Sequence, residues 1–300
     1  MVTIAFSDKY LYRLPQGHRF PISKYELVVE QLLYEGVITD HNLYDPGLVG
    51  ASEALLTHEA DFWRRATTLQ LTPKEVRLIG LPVTEASVNR ARNSVAGTVA
   101  AARRALQHGV AINAGGGTHH AYAAHGEGFC LFNDIAVAAN VLLHSQLVGQ
   151  VLVVDLDVHQ GNGTAHIFRH QPAVFTFSMH GQANYPHRKE QSDLDVGLPT
   201  GCTDATYLHT LTTHLSQLMA QVKPDIVFYQ SGVDVLAGDR LGKLALTKAG
   251  CKQRDKTVVA TCRSHDVPLV VTMGGGYAPR LAHVVDAHCN TYRTVIEAYS

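Results

Sequence analysis

Three ionisable residues directly follow a short aliphatic segment near the middle of the chain. Residues 151–154 read Val-Leu-Val-Val, and Asp155, Asp157 and His159 come next. Residues two apart lie on the same side of an extended chain, so the side chains of Asp157 and His159 can converge on one point. Asp-x-His is a spacing typical of metal ligands. The alternative, a solvated acidic turn, would have to explain why ionisable groups follow a buried segment.

Two further apolar segments lead to residues that could complete such a site. Residues 226–229 precede Asp234, and residues 269–273 precede Gly274-Gly275-Gly276 and Tyr277. One imidazole and two carboxylates with an open coordination position suit a catalytic Zn²⁺, and Fe²⁺ also fits this set. A tyrosine that follows flexible glycines can move toward a bound carbonyl group.

Two adjacent histidines follow a second glycine-rich segment. His119 and His120 come shortly after Gly115-Gly116-Gly117, where glycine allows positive φ and close approach of the backbone to a ligand. Alone, the pair would fit a polar loop equally well. Beside a metal site the pair gains meaning, because imidazole carries protons at neutral pH.

Alternating strands and helices are predicted to position these residues. Five short runs that are apolar on both faces indicate buried parallel strands at residues 110–113, 151–155, 173–178, 225–229 and 268–273. Helix-like segments lie at residues 94–107, 134–147, 205–221 and 247–264. The pattern predicts an α/β fold with a doubly wound, mainly parallel sheet flanked by helices. Its ligand site is expected beyond the carboxyl ends of the strands.

The rest of the sequence contains few candidate catalytic residues and no sign of a domain boundary. In the first 90 residues we predict only a helix at residues 25–35 and a loop at residues 39–50. No low-complexity linker or internal repeat divides the sequence, so we expect residues 1–300 to form one domain.

Composition excludes several classes of protein. The chain has 300 residues, 46% hydrophobic and 17% charged, which is globular rather than disordered. A formal net charge of −1 gives no basic field for nucleic acid or anionic lipid. No run approaches the ~18 apolar residues of a membrane span. The five cysteines form no CxxC pair and indicate neither disulfides nor a thiolate metal site. We therefore expect a cytoplasmic protein without a nucleic-acid or membrane partner; the composition does not set its oligomeric state.

Several motifs together resemble one family. They are Gly117-Thr118-His119-His120-Ala121, Gly128-Phe129-Cys130, Asn133-Asp134, Asp155 to Gly163, Ser231-Gly232-Val233-Asp234 and Gly274-Gly275-Gly276-Tyr277. Over about residues 110–280, in this order, the chain resembles the histone deacetylase family of the arginase-deacetylase superfamily. The Gln160-Gly161-Asn162-Gly163 segment and the short chain are most similar to the class IV branch and to bacterial histone deacetylase-like amidohydrolases.

The resemblance implies a role for each site residue. Zinc would be bound by Asp157, His159 and Asp234, and Tyr277 would donate to the substrate carbonyl. His119 and His120 would lie beside the zinc-activated water. In the family, Asp155 orients the first histidine, and the position of Asn162 orients the second.

The resemblance also implies a structural K⁺ and a substrate tunnel. The cation would contact Asp155, Asp157, His159, Ser178 and Met179, although Ser178 could be an ordinary strand-end hydroxyl. The tunnel would be lined by Gly128, Phe129, Tyr185, Leu241 and Gly275. Leu241 could equally be a core residue, and a core role is the less favoured alternative for Phe129. Tyr185 stands where the family more usually has phenylalanine, and its hydroxyl adds a polar tip that could hydrogen-bond to the substrate backbone.

Asn162 departs from the aspartate that many family members have. A neutral amide keeps the hydrogen bond but stabilises imidazolium less than a carboxylate would, so His120 should remain neutral near pH 7. We therefore assign His120 as general base and then general acid, and His119 as mainly electrostatic. His120→Ala should abolish turnover while zinc stays bound.

The resulting prediction is a zinc-dependent amidohydrolase that removes acetyl or longer acyl groups from lysine side chains. Its substrate would be an acylated lysine in a protein or peptide. One alternative is hydrolysis of acetylpolyamines or other small acylated amines, which would favour acidic residues at the tunnel mouth. A second is a catalytically silent, metal-stabilised binding module. The two histidines and Tyr277 argue against that module, since a binder needs no proton-transfer pair.

Overall fold

A computed structural model describes residues 1–300, whose strands all join one parallel sheet. The strands are β1 (Thr3–Ala5), β2 (Leu43–Tyr44), β3 (Val110–Asn113), β4 (Val151–Asp155), β5 (Val174–Gly181), β6 (Leu194–Leu198), β7 (Ile226–Gln230) and β8 (Leu269–Thr272). Their order across the sheet is β2-β1-β3-β8-β7-β4-β5-β6. Every pairing is parallel, so all the strands end at the same edge.

Ten α-helices accompany the sheet. They are α1 (Lys24–Tyr34), α2 (Ala51–Ala54), α3 (Ala60–Thr67), α4 (Pro73–Ile79), α5 (Glu85–His108), α6 (Asp134–His144), α7 (Asn162–Phe168), α8 (Asp204–Val222), α9 (Lys248–Ser264) and α10 (Leu281–Tyr299). One continuous core of 78 buried residues joins the helices to the sheet. None of the helices has the length and apolar character that crossing a membrane requires.

The four central strands of the sheet carry the residues that the sequence singled out. In order, they are β3, β8, β7 and β4. The histidine pair follows β3, the triple glycine with Tyr277 follows β8, Asp234 follows β7, and the Asp-x-His segment follows β4. Because parallel strands present their carboxyl ends at one edge, these loops meet there.

The predicted elements agree with the structure, with differences at some ends. β3 and β4 have the predicted bounds, whereas β5 continues to Gly181 instead of ending at residue 178. α5 begins at Glu85 rather than at residue 94. Its first turns contain Arg90 and Asn93, which look solvent-facing in sequence but are buried against loops.

Several elements were not predicted. β1 and β2 have only three and two residues, too few to show a pattern. β6 alternates between half-buried and exposed positions at the sheet edge, unlike the buried central strands. α7 includes Gly163, and glycine disfavours helix by about 1 kcal/mol relative to alanine.

Candidate active site

The loop after β3 is held open by a buried carboxylate. Gly116 and Gly117 have φ of 75° and 76°. In the first turn of α6, Asp134 accepts hydrogen bonds from the backbone N–H of Gly117 at 3.1 Å and of Thr118 at 2.7 Å. The loop therefore leaves the sheet in a fixed direction and delivers the two histidines that follow.

His119 and His120 lie side by side, each with its own partner. Their ring centroids are 4.1 Å apart. His119 Nδ1 lies 2.6 Å from Asp155 Oδ2, and His120 Nδ1 lies 2.6 Å from Asn162 Oδ1. The structure thus brings both histidines to the partners that the sequence assigned to them.

The two partners have opposite consequences for the rings. Burial lowers the pKa of an imidazole, but the charge of Asp155 outweighs it and raises the pKa of His119 above its ordinary value. Burial and the neighbouring histidines lower the pKa of His120 well below its ordinary value, and the bond to Asn162 only partly offsets this. The surroundings thus favour the charged form of His119 and the neutral form of His120.

Asp157, His159 and Asp234 converge on one point beyond β4 and β7. His159 Nδ1 lies 3.0 Å from Asp157 Oδ1 and 3.2 Å from Asp234 Oδ2. One possible ligand atom from each residue lies within 4.8 Å of the other two, so the group could hold a metal ion. All three residues are buried.

The charges of this triad fit a cation. Burial lowers the pKa of an imidazole, but Asp157 and Asp234 together raise the pKa of His159 to about 10. Burial and the charge of Asp157 raise the pKa of Asp234 to about 7. Asp234 Oδ2 accepts no hydrogen bond in this buried position. A proton on His159 supplies positive charge between the two buried carboxylates, and a metal ion could take the place of that proton.

The loop after β8 packs directly against the triad. The backbone N–H of Gly275 donates to Asp157 Oδ2 at 2.7 Å. A side chain at residue 275 would collide with the Asp234 carboxylate, because a Cβ atom there would lie 1.9 Å from Asp234 Oδ2. The triple glycine therefore serves close packing as well as flexibility.

Tyr277 faces the same space. Its backbone N–H donates to Asp239 Oδ2 at 2.6 Å, and its ring centroid lies 6.5 Å from that of His159. Burial raises the pKa of the Tyr277 hydroxyl well above its ordinary value. The hydroxyl thus stays protonated and can donate a hydrogen bond.

Two adjoining cavities meet at this group. The outer cavity, of about 320 Å³, reaches His120, His159 and Tyr277. The tunnel residues expected from the sequence that line it are Gly128, Phe129, Tyr185 and Leu241. Gly275 lies instead on a smaller inner cavity of about 30 Å³. Gly275 was expected in the tunnel wall, but it lies at the floor of the site, because its backbone N–H is hydrogen-bonded to Asp157.

The Tyr185 hydroxyl already has a partner. It donates to Glu127 Oε1 at 2.6 Å, and Tyr185 lines the outer cavity. The hydroxyl therefore cannot also donate to the substrate backbone, but its oxygen can still accept a hydrogen bond from a backbone N–H.

The residues expected around K⁺ lie on neighbouring strands. Asp155 and Ser178 are register partners in β4 and β5, and Met179 follows in the buried part of β5. Ser178 Oγ lies 2.9 Å from His180 Nδ1. Asp155 Oδ1 accepts from the backbone N–H of Asp157 at 3.1 Å.

Three residues of the site were missed by sequence reasoning. Lys24, fully buried in the first turn of α1, donates from Nζ to the carbonyl of Gly274 at 2.8 Å. Asp239 holds the backbone of Tyr277, and Glu127 holds Tyr185. For Glu127 a signal existed: it lies between two glycines, directly before the predicted tunnel residues Gly128 and Phe129.

The sequence also matches a family as a whole. The family model for the histone deacetylase domain matches residues 18–292. The chain belongs to the histone deacetylase family. Membership of this family indicates a deacetylase, and it agrees with the presence of a triad that could hold a metal ion.

Individual relatives extend this match. The chain is 44% identical over 296 residues to an uncharacterised protein of Picosynechococcus sp., covering 99% of each chain. It is 30% identical to histone deacetylase 2 of Arabidopsis thaliana, covering 95% of this chain and 76% of that one. It is 29% identical to human histone deacetylase 1, covering 95% of this chain and 62% of that one.

A solved histone deacetylase domain has the same fold. The crystal structure of the HDA15 HD domain superposes with a TM-score of 0.84, covering 99% of this chain and 88% of that one at 22% identity. The likeness confirms the predicted α/β, arginase-deacetylase-like fold.

Proposed function

We propose that residues 1–300 act as one catalytic domain, a zinc-dependent amidohydrolase that removes acetyl or longer acyl groups from lysine side chains. The observation that carries the proposal is the convergence of a buried carboxylate-imidazole triad, a histidine pair and Tyr277 on one cavity. A binding module would need only the triad.

Asp157, His159 and Asp234 would hold the metal. One nitrogen and two carboxylate oxygens suit Zn²⁺, and Fe²⁺ is the second candidate. When bound, the ion supplies a Lewis acid that polarises the substrate carbonyl and promotes the ionisation of water.

His120 would move the proton. Its Nδ1 faces Asn162, so Nε2 is the nitrogen left to accept a proton from the attacking water. The lowered pKa of His120 keeps this nitrogen unprotonated before the reaction. The same proton would then pass to the leaving amine. His119, paired with Asp155, would stay charged and favour the negative charge of the transition state.

The Tyr277 hydroxyl would donate a hydrogen bond to the carbonyl oxygen as negative charge develops there. A single well-placed donor of this kind contributes about 3 to 4 kcal/mol to the transition state. Asp239 fixes the backbone of Tyr277, which restricts the positions that its hydroxyl can take.

The outer cavity favours an acylated lysine over an acetylpolyamine. Phe129, Tyr185 and Leu241 give it walls suited to the methylene stem of lysine. Arg19 and Arg77 also line it, and no aspartate or glutamate does. Such a mouth repels a polycation, whereas it would attract an acyl-lysine flanked by acidic residues.

A structural K⁺ is proposed between β4 and β5. Asp155 and Ser178, adjacent in the sheet, would contribute side-chain oxygens, and the backbone oxygens of Asp157, His159 and Met179 would complete the set. Binding would hold the Asp-x-His segment in place.

The test is a panel of fluorogenic lysine substrates, from acetyl to myristoyl, together with acetylated polyamines. We expect turnover of acyl-lysine that a chelator abolishes and that Zn²⁺ restores better than Fe²⁺. His120→Ala should bind zinc at wild-type stoichiometry and be inactive. Chelator-resistant turnover, or an active zinc-loaded His120→Ala variant, would contradict the mechanism. A preference for acetylated polyamines would replace acyl-lysine as the proposed substrate. Substrate binding without turnover would favour the catalytically silent binding module.

A further inference from the structure

A buried carboxylate that the mechanism does not use lies behind His120. Glu127 is 9% exposed. Its Oε1 accepts hydrogen bonds from Asn162 Nδ2 and from the Tyr185 hydroxyl, each at 2.6 Å. Its Oε2 lies 3.6 Å from His125 Nε2 at the outer side. Asn162 therefore links Glu127 to His120, the proposed base.

The hydrogen bonds around Glu127 have only one consistent direction. An ionised carboxylate can only accept, so Asn162 must turn its NH₂ group toward Glu127. The amide oxygen of Asn162 then faces His120 Nδ1, 2.6 Å away. An amide oxygen also can only accept, and Nδ1 of His120 must therefore carry the hydrogen. The lone pair is left on Nε2.

The second hydrogen of the Asn162 amide agrees with this direction. It donates to the Tyr122 hydroxyl at 3.1 Å, and that hydroxyl donates in turn to Glu190 Oε1 at 3.1 Å. Burial would raise the pKa of Glu127, but its hydrogen bonds with His125, Tyr185 and Asn162 outweigh burial and lower that pKa. Glu127 is therefore ionised at neutral pH.

The backbone packs Glu127 tightly against the histidine. Gly128 follows it with φ of 57°, and a Cβ atom at residue 128 would lie 2.6 Å from the His120 ring. The backbone that follows Glu127 therefore lies in close contact with the His120 ring.

We propose that Glu127 is a positioning residue that selects the tautomer of His120 through the Asn162 amide. The inference rests on the proposed role of His120 as proton acceptor. It also changes the interpretation of Asn162. The amide is neutral, but the Glu127 carboxylate behind it holds the amide oxygen toward His120 as a hydrogen-bond acceptor.

Two substitutions separate the hydrogen bond from the charge. In Glu127→Gln the remaining carbonyl oxygen can still accept from Asn162 and Tyr185, so the relay should survive without the negative charge. In Glu127→Ala the Asn162 amide loses its partner and can rotate, and both tautomers of His120 should be populated. A disturbed neighbour of a catalytic group typically costs about 10- to 100-fold in activity.

The primary measurement is the ¹⁵N NMR spectrum of the zinc-loaded protein, with the His120 signals identified by their loss in His120→Ala. We expect the Nδ1–H form in the wild type and in Glu127→Gln, and a mixture in Glu127→Ala. The value of kcat should fall about 10- to 100-fold in Glu127→Ala and only a few-fold in Glu127→Gln. Glu190→Ala is the matched control, since Glu190 contacts only the far end of the relay and should change neither quantity.

A charge-swapped pair guards against misfolding of the alanine variant. Asn162→Asp alone sets two carboxylates against each other and should lose activity. Combined with Glu127→Gln, the glutamine NH₂ can donate to the new aspartate, and activity should return at least in part. Pure Nδ1–H His120 with unchanged kcat in Glu127→Ala, or no recovery in the double variant, would overturn the proposal. A wild-type protein that shows the Nδ1–H form but hydrolyses no amide would overturn the proposed function alone.

Discussion

The hydroxyl of Tyr277 can be removed with little change to its surroundings. Its ring packs among aromatic neighbours, 6.0 Å from Phe129 between ring centroids, and its backbone is fixed by Asp239. Tyr277→Phe should therefore fold and bind zinc normally. We expect kcat to fall about 10²- to 10³-fold with little change in KM, because the hydroxyl acts on the transition state more than on the bound substrate.

Steady-state kinetics and the zinc content of the purified variant test this prediction together. A matched loss of a buried hydroxyl is Tyr292→Phe, in the buried part of α10 away from the cavities, which should keep wild-type kcat. If Tyr277→Phe instead raised KM at unchanged kcat, the hydroxyl would be a substrate-binding group rather than a transition-state donor.

The residues that carry chemistry could be predicted where they follow strands in sequence. Asp157, His159 and Asp234 were visible because each stands at a strand exit. Glu127 and Lys24 were not, since their partners lie 35 and 250 residues away and the pairing exists only in the fold. The interpretation of Asn162 was likewise incomplete, because a sequence cannot show what stands behind a side chain.

At the scale of elements, α9 ties together the loops that carry the triad. Arg254 is fully buried in α9 and donates to the carbonyls of Leu156, Ser231 and Gly232. Its charge is balanced by Asp255, with Nη2 2.8 Å from Oδ1. The loops after β4 and β7 are thus held against one helix.

Arg254→Met should cost about 3 to 5 kcal/mol of unfolding free energy, because Asp255 is left buried without its cation. Urea unfolding of the variant measures this loss. Lys256→Met, an exposed change in the same helix, should stay within about 0.5 kcal/mol. The double variant Arg254→Met/Asp255→Leu should recover part of the loss. Equal effects of Arg254→Met and Lys256→Met would show that the ion pair does not hold the loops.

Elements were predictable where burial is uniform. The central strands are aliphatic on both faces, and β3 and β4 were bounded correctly for that reason. The N-terminal turns of α5 were not predicted, because Arg90 and Asn93 are polar but buried. Their hydrogen-bond partners come from segments distant in sequence. Only the three-dimensional structure reveals such compensation.

At the scale of the whole molecule, charge is nearly balanced but unevenly placed. The formal net charge of −1 gives no long-range field. The outer cavity nevertheless has Arg19 and Arg77 in its lining and no acidic residue. Any electrostatic preference for substrate must therefore be local, within a Debye length of about 8 Å at physiological salt.

This local charge predicts a salt-sensitive choice between substrates. An acyl-lysine peptide with glutamates beside the lysine should have a higher kcat/KM than the same peptide with glutamines there. Exposed charge pairs contribute about 0.2 to 1 kcal/mol each, so two guanidinium groups should give a ratio of roughly 2 to 30 at low salt. The ratio should approach one in 0.5 M salt, roughly where screening shortens to a few ångströms. Arg19→Gln/Arg77→Gln should remove the preference at low salt, whereas Arg169→Gln, an exposed arginine outside the cavity, should keep it. A ratio that the double variant leaves unchanged would place the selectivity elsewhere.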